Sequence, residues 1–403
     1  MNGLVLRTRG GRVDASVARE GRVAQVALIA SSFHPRVGGV EEHVRHTARA
    51  LRARGISVVI WTVDRGDPVP AVVDGVPVRV LPCPLPARNA RSLASFARRA
   101  PAAFTRWLRA ARADRPGILH VHCFGPNGVW ALALARVLRL PLVVTAHGET
   151  FGDADGVFAT SALLRRSLRA ALQRADAVTA CSRFTARDLE ERFELAPDRA
   201  EVIMNGVDLD EPAGTAPSLP GRYVLALGRV VHTKGFDLLL RAFAQARLPD
   251  DVSVVIGGDG PERPALEALA DEQGLVGRVL FTGRLDRGAV VRAAAASAAL
   301  AVPSRVEPFG IVLLEGWRAG VPVIATSHGG PPELINDGTD GWLVDPGDTV
   351  AFAAALERIF DVPEVSARIA AAGRDRVTAF TWDRIAAEYA TVYERARVRR
   401  ARG

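Results

Sequence analysis

The sequence predicts an α/β protein made of two doubly wound domains that face each other across a cleft. Short apolar runs alternate with longer amphipathic stretches along most of the 403 residues, as expected for parallel strands connected by helices. The alternation is interrupted once, at Asp210–Gly221, where proline, glycine and acidic residues are concentrated. Because a domain usually has about 100–200 residues, the length also fits two domains.

The domain boundaries follow from where the alternation begins and ends. Residues 1–22 have no apolar segment and predict a disordered N-terminal extension. Residues 23–208 predict the first domain, 209–221 the linker, 222–380 the second domain, and 381–403 a C-terminal helix. Doubly wound sheets bind ligands beyond the carboxyl ends of their strands, so we expect a ligand between two such edges.

Each apolar run predicts one strand. The runs of the first domain are Val23–Ala30, Ser57–Thr62, Val76–Leu81, Ile118–Val121, Leu142–Thr145, Ala177–Ala180 and Val202–Met204. Those of the second are Tyr223–Leu227, Val252–Ile256, Val279–Phe281, Ala299–Val302, Val321–Ala325 and Trp342–Val344. Helical patterns lie between them, for example at Val40–Arg54 and Phe184–Phe193, and Trp382 to Arg397 predicts one helix.

The composition excludes several classes of protein. Hydrophobic residues make up 48% and charged residues 24% of the chain, values that exclude a disordered or fibrous protein. No apolar run is long enough for a transmembrane helix. The three cysteines are far apart and form neither a disulfide framework nor a Cys-x-x-Cys zinc pattern, so we expect a cytoplasmic protein. They are Cys83, Cys123 and Cys181.

The excess of basic over acidic residues has two interpretations. A net charge of +8 suits nucleic acid or an anionic membrane as partner. However, Lys234 is the single lysine among many arginines, a bias typical of high-GC codon usage. We therefore expect no nucleic-acid partner, and a basic nucleic-acid-binding protein without catalysis remains the alternative of another class.

The first glycine loop follows the first predicted strand and opens a helix. It contains Gly38 and Gly39. Paired glycines let backbone N–H groups approach an anion or a sugar, and a helix N-terminus favours negative charge. A tight strand-to-helix turn explains the same pattern without a ligand.

The second glycine loop, Gly228–Gly235, follows the first strand of the second domain and holds Arg229 and Lys234. Two cations here could neutralise a diphosphate leaving group without a metal. A solvated basic loop is the alternative. Since these cations make a metal redundant, we expect none at the two Asp-x-Asp tripeptides, Asp153–Asp155 and Asp208–Asp210.

A third glycine loop ends another strand of the second domain. It contains Gly258 and Gly260. Glycines at the carboxyl end of a strand suit the close approach of a nucleotide, and a turn before a helix is an equal alternative.

Two glutamates flank a predicted loop-to-helix junction. Glu307 lies in the loop and Glu315 lies in the helix that follows. One carboxylate could bind sugar hydroxyls and the other a ribose diol. The backbone N–H groups from Phe309 through Gly310 to Ile311 form a helix N-terminus that could hold a phosphate.

Three histidines lie at the ends of first-domain strands. His147 follows a middle strand and could point into the cleft, although a lone histidine is more often a partly buried structural residue. We interpret His120 and His122, at the end of the neighbouring strand, as structural.

The segment Arg88–Arg115 predicts two short helices with a basic and an apolar face. It holds eight arginines, one acid and five large apolar side chains, and Pro101 interrupts it. Such a segment suits peripheral contact with an anionic membrane, at the inner face of the cell membrane. An ordinary surface helix in an arginine-biased protein is the alternative.

The motifs together resemble glycosyltransferase family 4, the retaining glycosyltransferases of GT-B fold. The resemblance covers about residues 24–390 and includes Asn205-Gly206-Val207-Asp208 at the domain junction. It implies two Rossmann-like domains and two groups of site residues. The catalytic group is Arg229, Lys234, Glu307 and His147. The donor-binding group is Gly38, Gly39, Gly258, Gly260, Phe309, Gly310, Ile311 and Glu315.

The resemblance also implies a reaction. A nucleotide-sugar donor, UDP- or GDP-hexose in type, would give its sugar to a hydroxyl of a glycan, glycolipid or small-molecule acceptor, with retention of configuration and without metal or cofactor. Glu307 would contact the donor sugar, Glu315 the ribose, and His147 the sugar near its reacting carbon. The C-terminal helix would cross back to the first domain. A GT-B nucleotide-sugar epimerase or phosphorylase is the alternative among enzymes.

Overall fold

The structure is a computed structural model that describes residues 25–36, 38–87, 89–152 and 156–402. The predicted N-terminal extension lies outside these residues, as do Val37, Arg88 and the first Asp-x-Asp tripeptide. The chain folds around one sheet of eight strands and one of six, both flanked by helices. The predicted α/β fold of two doubly wound halves is therefore confirmed.

The first sheet has the strand order β3-β4-β2-β1-β5-β6-β7-β8. All neighbouring pairs are parallel except β3 and β4. The strands are β1 Val26–Ala30, β2 Val58–Val63, β3 Val72–Val73, β4 Val76–Leu81, β5 Ile118–His122, β6 Leu142–Ala146, β7 Ala177–Ala180 and β8 Ala200–Val202. The central strands β1, β5 and β6 are buried throughout, because helices cover both faces.

Helices of the first half and the last helix of the chain flank this sheet in the described residues. Those of the first half are α1 Gly39–Ala53, α2 Ala90–Asp114, α3 Pro126–Leu138, α4 Val157–Thr160, α5 Ala162–Arg174 and α6 Arg183–Phe193. Helices α1, α3 and α6 each start just after a strand ends, so their N-termini lie at the carboxyl edge of the sheet.

The second sheet is parallel, with the order β11-β10-β9-β12-β13-β14. Its strands are β9 Arg222–Leu227, β10 Val252–Gly257, β11 Val279–Gly283, β12 Ala299–Val302, β13 Val323–Thr326 and β14 Trp342–Val344. Its helices are α7 Phe236–Gln245, α8 Arg263–Glu272, α9 Arg287–Ala296, α10 Ile311–Ala319, α11 Pro331–Leu334, α12 Thr349–Asp361 and α13 Pro363–Arg376.

The last helix, α14 Trp382–Arg402, packs on α1 of the first half. Its buried face joins the cluster formed by β1, β2 and α1. The hydroxyl groups of Tyr389 and Tyr393 reach His43 and His120 at 3.0 and 2.8 Å. Helix α14 therefore packs against the first half of the molecule.

Helix α2 is continuous from Ala90 to Asp114, so the predicted break at Pro101 is wrong. Pro101 cannot donate to the carbonyl of Ala97, but both residues are exposed and water can satisfy that carbonyl. Trp107 is buried and donates to the carbonyl of Pro82 at 2.9 Å, which anchors the second half of the helix on the core.

The two faces of α2 differ in their surroundings. Phe96, Phe104, Trp107 and Leu108 pack into the core of the first half, so most of the apolar face is not free for a membrane. Leu93 and every arginine from Arg91 to Arg115 remain exposed. The membrane contact stays a prediction that rests on charge. No helix in the described ranges is long and apolar enough to cross a bilayer.

Candidate active site

The carboxyl edges of the two sheets meet at a narrow cleft. Ser182, after β7, donates to the carbonyl of Pro308 at 2.6 Å across the cleft. A Cβ atom on Gly148, after β6, would lie 2.3 Å from Pro308 Cγ, and Gly148 has a φ of +87°. A side chain at this position would separate the two halves, so glycine permits the close approach.

Lys234 and Glu307 form an ion pair at the centre of this cleft. Lys234 Nζ lies 2.6 Å from Glu307 Oε2, and the hydroxyl of Ser304 donates to the same oxygen at 2.8 Å. Glu307 is only 7% exposed. The structure thus brings together two residues that the sequence predicted for one site, 73 positions apart in the chain.

The loop that carries Lys234 is a short 3-10 helix, His232–Lys234, held by Arg305. The Arg305 amide donates to the carbonyl of Thr233 at 2.9 Å, and its guanidinium donates to the carbonyl of His232 at 2.7 Å. The same guanidinium pairs with Asp237 at 2.6 Å. Burial favours the neutral acid, but the bonds from Arg305 lower the pKa of Asp237.

This support leads to a prediction for Asp237→Asn. Loss of the carboxylate leaves Arg305 without its counter-charge and loosens the loop that aims Lys234. We expect kcat for sugar transfer to fall about tenfold, because small displacements of catalytic groups cost orders of magnitude in rate. The control is Asp251→Asn, which removes an exposed ion pair with Arg222 in the same sheet region. Equal kcat values for the two variants would contradict the prediction.

Arg229 lies beside Lys234 at the mouth of the cleft. Its side chain is exposed, and within the described part of the chain it has no hydrogen bond or ion pair. A Cβ atom on the preceding Gly228 would lie 3.7 Å from Lys234 Cδ and Cε, so the two basic side chains leave the same loop. Arg229 therefore provides a cation that is not neutralised by the protein.

The third glycine loop packs backbone to backbone on this basic loop. A Cβ atom on Gly258, which has a φ of +146°, would lie 1.8 Å from the carbonyl oxygen of Gly228. One on Gly260 would lie 2.2 Å from the carbonyl oxygen of Val230. These contacts require glycine whether or not a nucleotide binds, so the two glycines act by shaping the loop of Arg229.

Glu315 lies on α10 between two arginines. Arg287 Nη2 and Arg318 Nη2 each lie 2.7 Å from a carboxylate oxygen, and Glu315 is 2% exposed. Neither oxygen has an aligned hydrogen-bond donor among the residues described. The two arginines neutralise the charge, and both carboxylate oxygens are buried in this structure.

Arg287 also joins the two halves of the molecule. Its Nε atom lies 3.7 Å from Glu42 on α1. Burial opposes the charge of Arg287, but the carboxylates of Glu315 and Glu42 raise its pKa. Arg287 and Glu42 line an interdomain cavity of about 330 Å³.

The helix N-terminus after Glu307 faces the first glycine loop. Phe309 is buried in the core, so only its backbone can reach a ligand. Gly310 caps α10 with a φ of +97°, and Ile311 begins the helix. A Cβ atom on Gly39 would lie 3.5 Å from Ile311 Cδ1. The Leu313 amide of this first turn donates to the carbonyl of Gly310 at 2.9 Å. The amides of Ile311 and Val312 have no acceptor among the residues described and suit a phosphate between Gly39 and α10.

The backbone at Gly38 in the first glycine loop is held by contacts with nearby residues. Gly38 caps α1 with an extended backbone, and a Cβ atom there would lie 2.7 Å from Glu41 Oε2. Glu41 accepts a hydrogen bond from Ser32. Gly38 therefore provides room for the glutamate that ties the loop to the end of β1.

His147 belongs to a buried cluster of imidazoles at the edge of the first sheet. Its Nε2 atom lies 3.2 Å from Nδ1 of His122, and the ring of His43 lies edge-on at 4.7 Å. Burial lowers the pKa of His122 and His147 well below 6.5. Burial also lowers the pKa of His43 to about 4, although its bond to Asn205 opposes this.

These histidines have the spacing of metal ligands. One nitrogen each of His43, His122 and His147 lie within 4.8 Å of one another. In this structure His43 instead bonds to Asn205 Oδ1 at 2.7 Å and to the Tyr389 hydroxyl at 3.0 Å. The prediction that the site uses no metal remains a prediction.

The turn after His147 is held by Glu149. Its carboxylate accepts hydrogen bonds from the amides of His147 and Phe124, both at 2.7 Å. Burial raises the pKa of Glu149, and these bonds partly offset the increase. Glu149 therefore fixes the backbone of His147 relative to the neighbouring strand end.

Comparison with known proteins shows the family to which this chain belongs. The Glycosyltransferase Family 4 model matches residues 37–211, and the model of glycosyl transferases group 1 matches residues 211–376. A D-inositol 3-phosphate glycosyltransferase from Xylanimonas cellulosilytica is 31% identical, with 90% of this chain and 93% of that relative covered. The chain belongs to glycosyltransferase family 4.

Several solved structures have the same fold as this family 4 glycosyltransferase. Sucrose-phosphate synthase from Thermosynechococcus elongatus has a TM-score of 0.76 at 26% identity and covers 92% of this chain and 98% of its own. Anabaena HepE in complex with UDP-glucose has a TM-score of 0.68 at 23% identity and covers 91% of this chain and 98% of its own. The predicted GT-B fold is thereby confirmed.

Several residues that build the candidate site of this glycosyltransferase were missed by sequence reasoning. Most of them act through partners far away in the chain, so no local motif marks them. Arg318 is the exception, because its partner Glu315 lies three positions before it. The missed residues are Glu42, Glu149, Asp237, Arg287, Arg305 and Arg318. Some of them lie inside or beside motifs that were recognised. Arg305 precedes Glu307 by two positions, and Glu149 follows His147 by two.

Proposed function

We propose that this glycosyltransferase moves a hexose from a UDP- or GDP-hexose donor to a hydroxyl of a small acceptor, with retention of configuration and without a metal. The observation that carries the proposal is the Lys234–Glu307 pair, 2.6 Å apart, beside the unpaired Arg229. Such a site neutralises a departing diphosphate and still offers a carboxylate to the sugar.

Each part of the donor has a matching group in the cleft. Glu315 is the carboxylate that we assign to the ribose diol, and the first turn of α10 offers amide groups to the diphosphate. Glu307 uses Oε2 for both of its described donors, so Oε1 can accept from a sugar hydroxyl. His147 lies on the opposite wall, where it can contact the same sugar.

The proposed reaction needs no further reactant. The acceptor oxygen attacks the anomeric carbon from the face that the diphosphate leaves. The bond between the carbon and the phosphate oxygen breaks as the new glycosidic bond forms. The leaving phosphate oxygen takes the proton of the acceptor hydroxyl, and Arg229 and Lys234 stabilise the charge that develops on it.

The acceptor that we propose is a phosphorylated polyol. The relative described above is a D-inositol 3-phosphate glycosyltransferase and aligns over 90% of this chain. Arg65, beyond the end of β2, is exposed and donates from Nε to the carbonyl of Ser31 at 3.0 Å. This bond leaves its terminal nitrogens for a phosphate at the cleft.

The first test is donor binding followed by transfer. Thermal shift and calorimetry with UDP, GDP, ADP, dTDP and their hexoses, all in EDTA, should identify one donor class, because a bound ligand raises the melting temperature. Transfer to inositol phosphate, inositol and a lipid-linked acceptor is then followed by NMR, which reads the anomeric configuration. Inversion, a metal requirement, or absence of binding would contradict the proposal.

The same assay separates the alternative enzymes. An epimerase would convert the nucleotide sugar with no acceptor present. A phosphorylase would require orthophosphate or a sugar phosphate. Either result would replace the proposed transfer while leaving the family assignment intact.

The role of Glu315 leads to a further prediction. Glu315→Gln is expected to raise the donor KM about tenfold or more, since a hydrogen bond to a charged group contributes about 1.5–3 kcal/mol. A donor that contains 3′-deoxyribose should bind the native enzyme more weakly than the ordinary donor does. Glu315→Gln should not weaken the binding of this deoxy donor any further. The exposed Glu364→Gln is the control. If the native enzyme binds both donors equally, the ribose role is wrong.

A further inference from the structure

Two histidines meet where the neighbouring strands β5 and β6 end. His122 is the last residue of β5 and pairs with Thr145 of β6, two positions before His147. The Nδ1 atom of His122 lies 3.2 Å from the Nε2 atom of His147. Burial keeps both rings neutral at pH 7, so one nitrogen of this pair donates and the other accepts.

The surroundings of His122 decide which ring donates. Its Nε2 atom is buried and has no hydrogen-bond partner in the part of the chain that the structure describes. A buried N–H group without an acceptor costs about 1–3 kcal/mol, so the proton belongs on Nδ1. We propose that His122 is a positioning residue, whose Nδ1–H donates to Nε2 of His147 and fixes the tautomer and orientation of that ring.

This assignment determines what His147 presents to a ligand. With Nε2 accepting, the neutral ring of His147 carries its proton on Nδ1. His147 is partly exposed at the cleft, whereas His122 is fully buried. His147 is then an N–H donor toward a sugar oxygen. The inference rests on the proposed function, because it specifies how the histidine expected beside the donor sugar is prepared for that contact.

The other imidazoles of the cluster do not compete with the pair for hydrogen bonds. His43 bonds to groups outside the pair through both of its nitrogens. The ring of His120 lies 3.9 Å from that of His122, and its nitrogens bond to Tyr393 and Thr145. The ring of His122 is therefore packed from two sides with its Nδ1 directed at His147.

Variants of His122 test the proposal through activity. His122→Asn keeps an amide donor near the position of Nδ1, and His122→Leu removes it. We expect His122→Leu to lower kcat about tenfold to a hundredfold, because displacement of a group that contacts the substrate slows a reaction by a factor of this size. His122→Asn should stay within about threefold of the native kcat, and nucleotide affinity should not change in either variant.

The matched control is His120→Leu. This histidine lies on the same face of β5 and is equally buried, but it does not bond to His147. We expect it to lower the melting temperature like His122→Leu while the folded fraction keeps its kcat. His122 has no specific positioning role if the kcat of His122→Leu equals that of the native enzyme. The same conclusion follows if His120→Leu lowers kcat as much as His122→Leu does.

NMR of 15N-labelled histidines tests the tautomers independently of activity. The His147 resonances, assigned by their loss in His147→Gln, should show the Nδ1–H tautomer in the native protein and in His122→Asn, and a mixture in His122→Leu. An Nε2–H tautomer in the native protein would overturn the inference. If no donor binds or transfers, the proposed function fails, and the tautomers of the unliganded protein still decide the pairing.

Discussion

Lys234→Ala is expected to lower kcat for sugar transfer by about 10²–10³-fold, the usual cost of removing a fixed donor aimed at developing charge. The ammonium group lies 2.6 Å from Glu307 and leaves the same loop as Arg229. As the diphosphate leaves, negative charge develops on its oxygen, and these two cations stabilise that charge. Because the nucleotide has other contacts, its KM should rise much less than kcat falls. Initial rates against donor concentration measure both.

Glu307→Gln tests the other half of the pair. The amide keeps the size of the side chain but removes the charge that holds Lys234 and the acceptor that faces the sugar. We expect the fold to persist, with an unchanged circular dichroism spectrum, and kcat to fall by a similar factor.

An exposed ion pair supplies the control for both variants. Arg222 lies 3.0 Å from Asp251 at the surface of the same half, and Arg222→Ala should leave kcat unchanged. If Lys234→Ala and Glu307→Gln keep near-native kcat, the assignment of the reaction to this pair is wrong, because no other described lysine could replace the lost charge.

The fold was predictable because each strand is marked by a local signal. Apolar runs such as Ile118–Val121 and Ala299–Val302 fall within observed strands, since parallel strands buried on both faces leave little room for polar side chains. The short β3, Val72–Val73, was missed because a two-residue edge strand has no period. Pro101 misled the analysis because its effect depends on whether the freed carbonyl faces water, which the sequence does not show.

The candidate site was only partly predictable for a related reason. Residues in glycine-marked loops, such as Lys234 and Glu307, were found because the loop itself is a signal. Arg287 was not, because its partners Glu42 and Glu315 come from two other elements and meet only when the two halves close. Buried charge pairs of this kind carry no periodicity and become visible only in the folded chain.

Acidification is expected to destabilise the protein steeply below about pH 6.5, because the first half holds four neutral imidazoles, three of them fully buried. Burial lowers the pKa of His43 to about 4 and lowers those of His120, His122 and His147 well below 6.5. In the unfolded chain these groups titrate near 6.5, so unfolding takes up protons below that pH. Their stabilisation is complete above about pH 7.5 and is lost as the pH falls.

The size of this effect follows from the number of protons. Each histidine contributes about 1.4 kcal/mol per pH unit once its unfolded form is protonated, so four contribute roughly 5 kcal/mol per pH unit at most. Typical domains are stable by about 5–15 kcal/mol, so we expect unfolding near pH 5. Glu149 acts in the opposite direction, because burial raises its pKa and the folded protein takes up a proton there as the pH falls. This proton offsets the contribution of only one of the four histidines.

Urea unfolding between pH 7.5 and 5.0 measures this slope directly. His43→Gln should lower stability at pH 7.5, where its bonds to Asn205 and Tyr389 are lost, and should reduce the slope by about one proton. The exposed His34→Asn is the matched control and should change neither quantity. A flat stability between pH 6.5 and 5.0 would mean that the four rings are solvated or charged in the folded protein. That result would also remove the neutral pair on which the positioning of His147 by His122 depends.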